Sequence, residues 1–105
     1  MEGAGKWLIF SRRDDHPAAW EVISTATEQG RLGPAAKAAT VPGKGDGFVI
    51  CVYTKDAEDL EDIGRVLRVL RELGFRQPLS YKSDANTLAL KYGRGASTYR
   101  SSRFE

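Results

Sequence analysis

Short apolar runs, separated by polar, glycine-rich or proline-containing stretches, predict five strands. They fall at residues 6–10, 35–41, 48–54, 79–83 and 87–92. The run at 48–54 reads FVICVYT and is apolar on both of the faces that a strand presents. We therefore expect this run to lie inside a sheet rather than at its edge.

Residues 14–30 predict a first helix. Asp14 or Asp15 can cap its N-terminus, and Pro17 is tolerated in a first turn, where the backbone nitrogen has no helical partner. Gly30 is typical of a helix end, because glycine readily adopts the left-handed conformation found there.

A second helix, starting at Asp56 and ending at Gly74, is predicted from charge and from hydrophobic spacing. Five carboxylates between residues 56 and 62 lie near its N-terminus and three arginines follow them, as the helix dipole favours. Helix electrostatics therefore explains the acidic cluster better than a metal site or an acidic active site does. The predicted buried stripe is Leu60, Ile63, Leu67 and Leu70. Gly64 costs a helix about 1 kcal/mol relative to alanine, so we expect the helix to approach the sheet closely there.

The order of these elements predicts an α+β fold. Strands that follow one another between two helices favour an antiparallel sheet with the helices packed on one of its faces. The other face would then be open, as a solvated surface, a ligand floor, or an interface with another protein or a second copy. A chain of 105 residues can build one modest core, so residues 1–105 are expected to form a single domain.

Composition narrows the functional classes. One cysteine excludes an internal disulfide, and one cysteine with one histidine argues against a Cys/His metal site; no cofactor is predicted. No apolar segment approaches the length of a membrane span, so a cytoplasmic protein without a membrane partner is expected. The net charge is only +2, but residues 82–103 hold five basic residues and one acidic residue. A positive region can therefore exist on a nearly neutral molecule.

Five local motifs occur in an order that resembles the cap-binding translation initiation factor 4E family. They are GKWLI at residues 5–9, KGD at 44–46, IGRV at 63–66, YKSDANT at 81–87 and ASTYRSSRF at 96–104. GRLG at 30–33 and VICVYT at 49–54 make the chain still more similar to the basophilic-leukaemia-expressed protein family, which shares that fold. No activity of that family transfers with the resemblance.

The resemblance implies a curved antiparallel sheet with helices on its convex face and a ligand groove on its concave face. The similarity starts at about Gly5, so the fold is expected to be truncated at its N-terminus. The cap binders carry their two cap-stacking tryptophans before that point. Trp7 and Trp20 match structural positions instead, so cap recognition by an aromatic sandwich is not implied.

Phosphate binding requires several donors that converge on one point. By the resemblance, Lys6 occupies the basic position before the strand tryptophan, and Lys37 lies on the strand that carries a phosphate-binding residue. Arg100 and Ser101 fall in a terminal loop that would close the groove. Lys82 and Arg94 add to the basic C-terminal region. Each of these residues could instead be a solvated surface side chain.

Two tyrosines could supply a stacking surface for a base, Tyr53 at the end of the central strand and Tyr99 in the terminal segment. Packing against the sheet is the alternative role for Tyr99. Phe104 is expected to anchor the end of the chain. Cys51 is expected to be a small buried hydrophobe.

The sequence favours a non-catalytic domain that binds a nucleotide or an RNA end. An enzymatic alternative pairs Lys82 as a proton acceptor with His16 as a donor, in a lyase-type elimination on a phosphorylated side chain. A third hypothesis is a protein interaction module that uses the open sheet face.

Overall fold

The strands form one antiparallel sheet in a computed structural model, which describes residues 4–43, 47–83 and 98–105. The sheet order is β2-β3-β1-β4-β5. The strands are β1 (Gly5–Ser11), β2 (Ala36–Ala38), β3 (Phe48–Thr54), β4 (Ser80–Ser83) and β5 (Thr98–Arg100). β3 pairs with β1 and with β2, so the prediction that the run at 48–54 lies inside a sheet is confirmed. The strand predicted at 87–92 and the KGD motif at 44–46 lie outside the described residues.

Both helices pack on the same face of this sheet. They are α1 (His16–Glu28) and α2 (Leu60–Glu72). Alternate strand residues, such as Trp7 and Ile9 on β1, join Ile23 of α1 and Leu67 of α2 in one buried cluster. The predicted α+β class, with helices on one face of an antiparallel sheet, is confirmed. No helix among the described residues has the length and apolar character needed to cross a membrane.

Trp7 occupies the middle of the core and ties β1 to α2. Its side chain is fully buried, and its indole Nε1 donates to the carbonyl oxygen of Ile63 at 3.1 Å. The rings of Tyr81 and Phe104 contact it edge-on, with centroids 5.3 and 5.7 Å away. The expectation that Trp7 is structural therefore agrees with its position.

α2 begins later than the sequence predicts. Asp59, rather than Asp56, caps the helix, because its Oδ1 accepts from the backbone nitrogen of Asp62 at 3.1 Å. Asp56 instead accepts from the nitrogen of Glu58 in the preceding turn. Leu60 is thus the first helical residue and is 37% exposed, so it does not belong to the buried stripe. The rest of that stripe is confirmed: Ile63, Leu67 and Leu70 are buried.

The terminal segment differs most from its prediction as a closing loop. β5 pairs with β4, with Tyr99 opposite Tyr81, and a 3-10 helix follows at Ser101–Phe104. Phe104 anchors this end as predicted, since its ring packs on the core. It also explains Gly64: a Cβ there would lie 3.2 Å from Cδ1 of Phe104. The close contact of α2 is therefore with the terminal aromatic ring, not with the sheet strands as we expected.

Candidate functional site

The sheet face that points away from the helices carries the candidate site, and we call it the open face. Because side chains alternate along a strand and directly paired residues share a face, its members follow from the strand register. In the described residues they are Lys37, Val49, Cys51, Tyr53, Lys6, Leu8, Phe10, Ser80, Lys82 and Arg100. None of these positions is a carboxylate. The residues that alternate with them along the strands point to the helices and contribute to the core.

One end of the open face is cationic and aromatic. Lys6 on β1 lies directly opposite Lys82 on β4 and directly opposite Tyr53 on β3. The Nζ of Lys6 is 5.9 Å from the centroid of the Tyr53 ring, within the range of a cation–π interaction. All three side chains are partly exposed. The structure thus brings together three of the predicted site residues, in a row across three adjacent strands.

Two further predicted cations share the open face nearer its edges. Arg100 on β5 pairs with Ser80, and its guanidinium donates to the Ser80 hydroxyl at 3.3 Å. Lys37 on β2 pairs with Cys51 and is exposed. Positive charge therefore occurs on four of the five strands of this face.

The other end of the open face is apolar. Leu8 and Phe10 of β1 lie opposite Cys51 and Val49 of β3, and Phe10 is 61% exposed. Cys51 is half-buried on this face rather than a buried core residue, which corrects the prediction. Successive residues of a strand point to opposite faces, so Cys51 points away from the core that its neighbours Ile50 and Val52 enter. The apolar run gives no sign of this, because both of its faces are apolar.

Ser101 and Tyr99 do not share the open face. Ser101 is only 4% exposed, and its hydroxyl accepts from the backbone nitrogen of Leu79 at 3.0 Å, so it fastens the 3-10 helix to the chain entering β4. Tyr99 lies on the helix-covered face, where its ring stacks on Tyr81 with centroids 5.9 Å apart. Tyr53 is therefore the predicted stacking residue that lies beside the cations. Arg94 lies outside the described residues.

The two residues of the enzymatic hypothesis lie far apart. Lys82 is on the open face opposite Lys6. His16 begins α1 on the helix-covered side, where its ring contacts Ser11 Oγ at 3.2 Å and the Ala39 carbonyl at 2.9 Å. Ser11 is five residues along β1 from Lys6, or about 16 Å at the usual rise of a strand. This geometry does not join Lys82 and His16 in one site. Nor do the described residues contain a group of three His, Cys, Asp or Glu side chains placed to hold a metal ion.

Two motifs that carry the family resemblance meet in space. Arg65 of the IGRV segment donates to the carbonyl oxygens of Arg31 and Leu32 in the GRLG segment, at 3.0 and 2.9 Å. Gly33 ends that segment against β3, and a Cβ there would lie within 1.7 Å of the Tyr53 carbonyl oxygen. A model of the family described as basophilic leukemia-expressed protein Bles03 matches residues 3–89. The chain belongs to the Bles03 family.

The Bles03 match covers β1 through β4 and both helices. It therefore includes Lys6, Lys37, Tyr53 and Lys82, while Arg100 lies beyond it. The sequence predicts the cations of the open face but not the close approach of Gly33 to the backbone of β3. Hydrophobic periodicity carries no information on how closely two backbones approach.

Proposed function

We propose that this Bles03 domain is a non-catalytic module whose open face binds a phosphate-bearing ligand, either a nucleotide or an RNA end. The observation that carries the proposal is the pairing of Lys6 with Lys82 on adjacent strands. Like charges that lie directly opposite each other destabilise a sheet. A bound phosphate group offsets that repulsion, because both ammonium groups can contact its oxygens.

Tyr53 supplies the second part of the proposed site. Tyr53, Lys6 and Lys82 occupy three successive strands, so about 10 Å separates the backbone of Tyr53 from that of Lys82 at the usual strand spacing. A base stacked on Tyr53 would thus direct its phosphates toward the lysine pair. Arg100 pairs with Ser80, two residues along β4 from Lys82, and would add a cation beside this row for a longer chain of phosphates or for a second nucleotide.

A factor 4E-like fold is part of the proposal. The motif order that resembles the cap-binding family supports it, since that family holds its ligand on the sheet face opposite the helices. The antiparallel sheet with helices on one face is compatible with that arrangement.

Calorimetric titration of nucleotides and of short RNAs with a 5′-phosphate, at low and at moderate salt, tests the proposal. We expect binding at low salt that weakens as salt rises, because phosphate contacts release counterions. Lys6→Gln and Lys82→Gln should each weaken binding about tenfold, or about 1.4 kcal/mol.

Lys55→Gln is the matched control. Lys55 is exposed and lines a cleft with Asp59, the N-cap of α2, and with Asp62 on that helix, away from the open face. Removing its charge should leave ligand affinity unchanged. Absence of binding at low salt, or an equal loss in all three variants, would contradict a site at the lysine pair.

The apolar end of the open face favours a second candidate, a protein interaction module. Phe10 is 61% exposed beside Leu8 and Val49. If the protein forms a dimer through this surface, Phe10→Ser should convert the dimer to monomers. Light scattering would measure the change in mass. Such a dimer would also compete with the ligand for the same face.

A further inference from the structure

The outer edge of β2 has backbone groups directed away from the sheet. Tyr53 N–H donates to the Ala35 carbonyl, and Ala39 N–H donates to the Val49 carbonyl. In an antiparallel ladder the N–H and C=O of one residue point to the same side and successive residues alternate. The N–H and C=O of Ala36 and Ala38 therefore point outward from β3, along the edge of the described sheet.

An open cleft of about 480 Å³ runs beside this edge. α1 contributes His16, Pro17 and Trp20 to its wall, and β2 contributes the small side chains of Ala36 and Ala38. These alanines are half-buried, and the surface between α1 and β2 is mostly apolar. A strand placed against β2 would have room there for medium-sized apolar side chains.

Lys37 favours a negatively charged side chain in the docked segment. It lies between Ala36 and Ala38, and its side chain points to the open face. A residue docked opposite Lys37 would form a non-hydrogen-bonded pair, the type in which side chains approach most closely. A carboxylate there would be matched by the lysine, and a cation would be repelled. Short edge strands that carry a lysine resist unselective pairing, so this charge disfavours segments that lack a carboxylate opposite Lys37.

We propose that β2 is a docking edge for an extended segment of another protein with an apolar–acidic–apolar pattern. The segment adds a sixth strand beside β2. Its two apolar side chains enter the cleft between α1 and β2, opposite Ala36 and Ala38, and its acidic side chain pairs with Lys37 on the open face. The segment runs antiparallel to β2, the direction in which its acidic residue forms a non-hydrogen-bonded pair with Lys37 and its apolar residues form hydrogen-bonded pairs with Ala36 and Ala38. This site does not rest on the proposed phosphate site, because its backbone contacts and its cleft lie outside the row of Tyr53, Lys6 and Lys82.

The test uses a synthetic heptapeptide, Thr-Thr-Val-Glu-Val-Thr-Thr, acetylated and amidated, with a lysine in place of its glutamate as control. Trp20 lines the cleft and Trp7 is fully buried, so the peptide-dependent change in tryptophan emission reports the cleft. We expect the glutamate peptide to bind at least about tenfold more tightly than the lysine peptide. Lys37→Glu should reverse that preference. Lys6→Gln and Lys82→Gln should leave peptide binding unchanged, which separates this site from the phosphate site.

Two changes test the backbone contacts. Ala38→Pro removes an N–H that points outward and keeps the bonds from β2 to β3, and proline is tolerated at such edge positions. It should lower peptide affinity about tenfold with an unchanged circular dichroism spectrum. If that variant does not fold, a peptide N-methylated at both valines gives the same test on the unaltered protein. Its affinity should fall similarly.

Three results would overturn the proposal. The first is that the glutamate peptide gives no change in emission at about 1 mM, a concentration that detects interactions of about −4 kcal/mol. The second is equal binding of the two peptides. The third is a dimer of the protein alone that Ala38→Pro dissociates in sedimentation experiments, which would make the occupant a second copy of this chain.

Discussion

The guanidinium of Arg65 on α2 donates to the backbone carbonyl oxygen of Leu32 at 2.9 Å. The same side chain reaches the Arg31 carbonyl at 3.0 Å, and its Nε donates to Asp62 one helical turn earlier. Asp62 thus orients a planar fork that holds the segment between α1 and β2. Since β2 follows directly, this fork positions the strand that carries Lys37.

Arg65→Lys should destabilise the fold by about 1 kcal/mol, because a lysine cannot reproduce the fork of an arginine and the site is partly exposed. Urea denaturation measures the loss. Arg68→Lys, on an exposed position of the same helix, is the control and should change the free energy of unfolding little. Equal effects of the two substitutions would show that the fork does not stabilise the fold.

Gly64 and Phe104 should show strong coupling in a double-mutant cycle. Alanine at a helix interior gains about 1 kcal/mol over glycine, but its Cβ would press on the Phe104 ring at 3.2 Å. We expect Gly64→Ala to give no stabilisation in the native background. In a Phe104→Ala background the same change should stabilise by up to about 1 kcal/mol. Stabilisation in both backgrounds would contradict the contact.

Tyr53 and Tyr99 should separate ligand binding from stability. Tyr53→Ala removes the proposed stacking surface and should weaken nucleotide binding by about 1–3 kcal/mol. Tyr99→Ala should instead lower the free energy of unfolding by about 2 kcal/mol, since its half-buried ring packs on Tyr81 and Phe104. Nucleotide titration and urea denaturation of both variants measure the two effects. A loss of affinity in Tyr99→Ala with a loss of stability in Tyr53→Ala would contradict these roles.

The sequence predicts the core elements well where one physical signal dominates. The stripe of Ile63, Leu67 and Leu70 locates α2, and the apolar run at 48–54 locates β3. The sequence predicts the start of α2 too early because the acidic segment offers several capping residues, and backbone geometry selects Asp59 among them. β5 could not be predicted, because three polar or aromatic residues become a strand only through pairing with β4.

The sequence predicts which residues belong to the candidate site, but it does not show which of them share one face of the sheet. Lys6, Lys37, Lys82 and Arg100 were predicted from charge and resemblance, and strand register then places them on one face. Ser101 is predicted as a phosphate ligand because the resemblance places it in a terminal loop at the groove, and the sequence does not distinguish an exposed hydroxyl from a buried one. Only the neighbouring backbone of Leu79 reveals its structural hydrogen bonds.

Ser101→Ala should therefore act on stability. The change removes the acceptor for the Leu79 N–H at a buried position, which costs about 1–3 kcal/mol. Ser102→Ala, at the exposed neighbouring residue, is the control and should be close to neutral. Chemical denaturation gives both values. A loss of nucleotide affinity in Ser101→Ala without any loss of stability would restore it as a ligand contact.

The ion pair between Arg71 and Glu105, which we call the terminal latch, should make the free energy of unfolding depend on pH. The Arg71 guanidinium donates to the Glu105 carboxylate at 2.5 Å and also to the Phe75 and Gln77 carbonyls at 2.7 Å each. Its hydrogen bond to Glu105 holds the pKa of that carboxyl below the ordinary value of 4.5, against an opposing desolvation effect.

A folded-state pKa below the unfolded value means that the latch stabilises the fold above the unfolded value and loses its effect as pH falls through the folded value. Urea denaturation of the native protein and of Glu105→Gln, from neutral pH to well below 4.5, should give curves that converge at acidic pH. Glu21→Gln, which removes an exposed carboxylate on α1, controls for general charge effects and should run parallel to the native protein. A difference between native protein and Glu105→Gln that stays constant with pH would exclude the ionised latch.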